Sequence, residues 1–138
     1  MKRLFYLFSA FVVFAAIPLA QKAIAKTKDT APIEVVVAVI CRDIIDRKPV
    51  DIGNNFDSTV EKLYCFTKIV GARSTTEITH IWYLGNTERA RVTLPVKSSM
   101  WRTYSSKKIQ AHEIGYWHVD IVGPDGQILR KVQFNINP

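Results

Sequence analysis

Along most of the chain, apolar and polar residues alternate with a period of two, and glycine, proline and asparagine break the pattern at intervals. Period two is the mark of a strand with one buried face and one wet face. Residues 88–96 show it best. Ala90, Val92, Leu94 and Val96 fall on one side, with Arg89, Arg91 and Thr93 on the other. Residues 116–122 bring Trp117, Val119 and Ile121 together, and residues 127–136 do the same for Val132, Phe134 and Ile136. Residues 33–41 are apolar on both parities, as a strand covered on both faces would be. Residues 60–70, 77–84 and 101–109 add three more runs, the last unusually polar. Gly85-Asn86 supplies a two-residue hairpin turn, and Pro124-Asp125-Gly126 a second turn. Residues 42–55, with Pro49, Gly53, Asn54 and Asn55, read as a connector. These signals predict an all-β fold, an immunoglobulin-like antiparallel β-sandwich of about seven strands.

The first residues break this pattern. Lys2 and Arg3 precede an apolar run over residues 4–17, and Ala23 and Ala25 put small residues where a signal peptidase reads. This is the three-part layout of a secretory signal peptide. The run is shorter than the ~20 apolar residues of a membrane-spanning helix. The sequence therefore predicts a cleaved signal over residues 1–25, a polar flexible leader over 26–32 and a single domain over 33–138. No membrane span is expected in the mature chain, and its expected location is periplasmic or secreted.

Export changes the charge. Three of the 19 basic residues leave with the signal and none of the 12 acidic ones does, so the balance is 16 − 12 = +4. That is a mild excess, and outside the cytoplasm nucleic acid is a poor partner. Cys41 and Cys65 are the two cysteines. An even count in an exported chain favours a disulfide, although two buried free thiols would also pack well.

The chemistry-bearing residues concentrate in Met-Trp-Arg-Thr-Tyr-Ser-Ser-Lys-Lys, residues 100–108. On a strand, Trp101, Thr103, Ser105 and Lys107 share one face, while Arg102, Tyr104, Ser106 and Lys108 share the other. An aromatic ring between cations can stack on a sugar and hold an anionic group. Trp101, Arg102, Tyr104, Lys107 and Lys108 are thus candidate ligand-binding residues, joined by His80 and Trp82, which share one face of an earlier strand. The competing reading makes Trp101 a core residue and leaves the polar groups solvated. Ser106 and Lys107 are adjacent and point to opposite faces, unlike the helical serine–lysine spacing of known hydrolases. His80, His112 and His118 lack metal-ligand spacing, and there is no Cys-x-x-Cys. A glycine-rich phosphate loop is missing too. No catalytic residue, metal or cofactor is therefore assigned.

Leu63-Tyr64-Cys65-Phe66-Thr67, Thr79-His80-Ile81-Trp82-Tyr83, Trp101-Arg102-Thr103 with Ser105-Ser106-Lys107, Gly115-Tyr116-Trp117 and Asp125-Gly126 with Ile128-Leu129 follow one another in an order and spacing that resemble a bacterial family, domain of unknown function 2914. Tyr104 stands where tryptophan is as common in that family. The resemblance implies a compact β domain of envelope proteins and carries no activity. The expected function is a non-catalytic binding or interaction module of the envelope, its partner a glycan, an anionic polymer or a protein. The alternatives are a hydrolase of envelope material and a purely structural accessory domain.

Overall fold

The computed structural model describes residues 33–138. The predicted signal peptide and leader lie outside the described residues. Nine strands follow one another: β1 (Glu34–Ile45), β2 (Lys48–Ile52), β3 (Asn55–Asp57), β4 (Lys62–Val70), β5 (Thr76–Leu84), β6 (Thr87–Val96), β7 (Met100–Lys108), β8 (Gly115–Val122) and β9 (Ile128–Asn137). They form two sheets, ordered β2-β1-β4-β7 and β3-β9-β8-β5-β6. Without the short β2 and β3, the order is β1-β4-β7 against β9-β8-β5-β6. The seven strands read from the alternation are these, and they make the immunoglobulin-like sandwich.

β2 and β3 correct the sequence reading, because both lie in or just beyond the predicted connector. β1 runs past Cys41 to Ile45 and turns back through Asp46-Arg47, with φ of 52° and 59°. A two-residue turn with both central residues left-handed usually carries Asn-Gly. Asp-Arg gives no such signal. β3 is three residues long and pairs parallel to β9, a long-range contact that no local pattern announces. The other turns follow expectation. Gly85 opens the β5–β6 hairpin at φ 57°, a conformation glycine reaches without a Cβ penalty.

The inner faces bury Trp82, Trp117, Leu63, Ile69, Ile78, Ile121, Phe134 and Ile136 almost completely. Phe134 gathers the rings. Trp117 stacks on it at 5.8 Å between centroids, and Trp82 and Phe56 meet it edge-on at 6.1 Å. The core has two apolar parts. Leu63, Cys65, Trp82 and Trp117 belong to one, and Ile69, Ile78, Val96 and Ile121 to the other, with Trp101 packed against it. Along β4 the inward residue between Cys65 and Ile69 is Thr67, and along β5 the one between Trp82 and Ile78 is His80. A polar layer therefore crosses the middle of the core.

Candidate functional site

β7 pairs with β4 through nine successive rungs, from Lys62–Lys108 to Val70–Met100. Directly opposed residues share a face, so the register sorts both strands. Leu63, Cys65, Thr67 and Ile69 turn inward with Lys107, Ser105, Thr103 and Trp101. Lys62, Tyr64, Phe66 and Lys68 turn outward with Lys108, Ser106, Tyr104 and Arg102. The division of residues 101–108 read from the sequence is the one the fold adopts.

The inward face carries the polar layer. The Trp82 indole N–H donates to Ser105 Oγ at 3.0 Å. Ser105 Oγ lies 2.7 Å from His80 Nδ1, and His80 Nε2 lies 3.3 Å from Thr67 Oγ1. The Thr67 hydroxyl donates to the Thr103 carbonyl at 3.3 Å. One proton assignment satisfies the whole chain. Thr67 spends its proton on Thr103, so it accepts from His80 Nε2–H. His80 Nδ1 is then bare and accepts from the Ser105 hydroxyl, which in turn accepts from Trp82. The histidine must be neutral for this to hold. Burial agrees, pushing its pKa down to about 4.

A serine 2.7 Å from a histidine has the spacing of a nucleophile and its base. Here Ser105 is 4% exposed and His80 0%. The second histidine nitrogen meets a threonine rather than a carboxylate. The pair is sealed and structural. His80 and Trp82 thus leave the ligand-binding set read from the sequence, since neither reaches the surface. Trp101 is half-buried against the core, and Lys107 is also inward. Lys107 Nζ lies 3.6 Å from Glu113 Oε1, and its ammonium lies over the Trp117 ring.

Glu113, in the loop after β7, is a buried carboxylate. Arg89 clamps its Oε2 at 2.9 and 3.0 Å, and the Gln110 amide donates to Oε1 at 3.0 Å. Burial alone would raise its pKa. The Gln110 amide, Arg89 and Lys107 together outweigh burial and lower it. This knot ties β6 and β7 to the loop after β7, where the two sheets approach at their edges.

The outward face differs. Tyr104 is 47% exposed, and its ring meets Tyr64 edge-on at 5.9 Å. Lys62 stands over the Tyr64 ring at 5.1 Å. Two rungs oppose like charges, Lys62 with Lys108 and Lys68 with Arg102. None of the ion pairs among the described residues includes any of these four, and neither strand contains an acidic residue. Arg102, Tyr104 and Lys108 come together here as the sequence suggested. Lys62, Lys68 and Tyr64 were missed, because only the β4–β7 register brings them alongside.

Cys41 and Cys65 are both buried free thiols, which corrects the expected disulfide. β1 and β4 are neighbours, but Cys41 opposes Tyr64 and Cys65 opposes Ile40. The two thiols therefore emerge on opposite faces of the sheet. Burial raises both thiol pKa values, so neither is a ready thiolate. On the far sheet, His118 stacks on Tyr83 at 4.7 Å with Asp120 at 3.8 Å. His80, on the inner face of the adjacent strand, does not meet it.

No curated protein matches the chain. A family model described as protein of unknown function (DUF2914) matches residues 75–136. The match starts just before β5 and ends in β9, so it includes β7 and leaves out Leu63-Tyr64-Cys65-Phe66-Thr67 of β4. Its description names no activity. Over residues 75–136, the chain is therefore similar to the DUF2914 family of proteins of unknown function.

Proposed function

We propose that the outward face of β4 and β7 docks an extended polyanion, and that the domain is a non-catalytic binding module of the bacterial envelope. The observation that carries this reading is the pair of like-charge rungs, Lys62–Lys108 and Lys68–Arg102, with no acid on either strand. Like charges directly opposite each other destabilise a sheet. Folding gains nothing from them, and a bound anion would turn the repulsion into attraction.

The spacing selects the kind of anion. The two rungs are six residues apart, about 20 Å along the strands. A single phosphate or sulfate reaches one rung only. A chain of charged units reaches both and crosses Tyr104 and Tyr64 between them, where a ring can stack. An anionic polysaccharide has both properties. The envelope setting rests on the export signal expected from the sequence of residues 1–25. The hydrolase alternative has less support, since the one serine–histidine pair among the described residues is sealed in the core.

The test compares a sulfated polysaccharide with its sulfated monosaccharide by titration calorimetry at several salt concentrations. The polymer binds, and its affinity falls linearly in log–log form as salt rises, because the polymer's counterions are released. The monosaccharide does not bind measurably. Equal binding of both, or polymer binding indifferent to salt, contradicts the proposal.

A further inference from the structure

A sandwich of two open sheets has four edge strands, and three of the four here carry a backbone device against pairing with another chain. β2 is five residues long, contains Pro49 and has Asp51 at φ 56°. β3 is three residues long. β6 contains Pro95, and its ladder with β5 shifts register at Trp82/Tyr83. Short length, proline and irregular backbone protect an exposed edge, as do charged side chains. β7 has no backbone protection, only the charges of Arg102, Lys107 and Lys108. It is nine residues long, without proline, glycine or left-handed backbone, and its ladder with β4 has no register shift. Its one inward charge, Lys107, is held by Glu113.

We infer that β7 pairs with β7 of a second copy, antiparallel about a two-fold axis at Tyr104, joining two four-stranded sheets into one of eight. The residues of β7 support this partner specifically. A two-fold axis at Tyr104 sets Met100 against Lys108, Trp101 against Lys107, Arg102 against Ser106 and Thr103 against Ser105. No cation stands directly opposite a cation, in contrast to the ladder with β4. The lysines fall against an aromatic ring and a thioether, and the hydroxyl residues meet each other. Positions of equal parity pair, so outward faces join outward faces. The two basic faces become one, with eight cations in place of four. An isologous contact of this kind closes at two copies. The pairing stands independently of the polyanion reading, since it needs no ligand.

At the axis residue 104 opposes itself, which makes it the point of test. Tyr104→Lys and Tyr104→Glu each place two like charges together at an exposed position. Size-exclusion chromatography with light scattering, with reductant and without polyanion, reads the result. The unsubstituted protein shows a mass that rises with concentration to twice that of one chain. Each variant alone stays at the mass of one chain. An equimolar mixture of the two variants regains the doubled mass, because lysine then opposes glutamate. An unsubstituted protein that stays monomeric to millimolar concentration overturns the inference. So does a doubled mass in either variant alone, or a mixture that fails to associate.

Discussion

The two faces of β7 follow opposite rules. On the inward face Ser105 and Lys107 have partners: Ser105 serves both Trp82 and His80, and Lys107 is held by Glu113. On the outward face Arg102 and Lys108 stand directly opposite Lys68 and Lys62 with no counter-charge on either strand. One strand thus carries a solved packing problem on one side and an unsolved electrostatic one on the other. A buried polar group left without a partner costs about 1–3 kcal/mol. An exposed repulsion costs only tenths of a kcal/mol, which leaves it available to a partner outside the fold. The inward residues are therefore read as structure and the outward ones as recognition.

The largest effect should come from breaking the inward side. Ser105→Ala strands the Trp82 indole N–H and His80 Nδ1 in the core. At about 1–3 kcal/mol for each of the two orphaned groups, the loss is roughly 2–6 kcal/mol, measurable by urea unfolding. Polyanion binding under native conditions should be unchanged. A loss below about 1 kcal/mol would mean that the polar layer relaxes easily and is not part of what fixes the core.

Acid should attack the same layer. The pKa of His80 is about 4 when folded, against the ordinary 6.5. Between those values the unfolded chain holds the extra proton, so stability falls as pH falls from 6.5 towards 4. The slope approaches about 1.4 kcal/mol per pH unit, and the total is roughly 3 kcal/mol. The histidine contribution is complete above pH 6.5. His80→Gln should flatten that part of the curve in a pH series of denaturant melts. An unchanged slope would place the titration elsewhere.

Much of this was legible in the sequence. The alternation in residues 101–108 sorted both faces of β7 correctly, because period two is a local property of the chain. The sandwich was legible for the same reason. The connector was not, since Asp46-Arg47 lacks the usual turn residues and β3 depends on β9 far along the chain. His80 and Trp82 were placed correctly on one face, but whether that face was inside or outside depended on the opposite sheet. Lys62 and Lys68 were invisible as site residues because they acquire meaning only from the register with β7. Pairing Cys41 with Cys65 failed on the same point. Composition could count two cysteines, but only the β1–β4 register puts them on opposite faces.

The two rings of β7 give a smaller contrast. Trp101 is half-buried against the second part of the core, so Trp101→Ala should cost about 2 kcal/mol, less than the 3–5 of a fully buried ring. Tyr104→Ala removes one edge-on contact with Tyr64 and should cost under about 1 kcal/mol. Thermal melts of the two variants compare them directly. Equal and severe losses would make both rings structural and remove Tyr104 from the docking surface.

The smallest effect on stability is the one that bears most directly on the outward face. Lys68→Glu replaces a like-charge rung with an opposite-charge rung, the new carboxylate being set against Arg102. The measurement is a paired one on this variant: its melting temperature, and its affinity for a sulfated polysaccharide at low salt. The account predicts that the variant is more stable by about 0.5 kcal/mol and binds the polymer at least several-fold more weakly. A variant that is less stable and binds as well as the unsubstituted protein would contradict the claim that this face is shaped by an anionic partner.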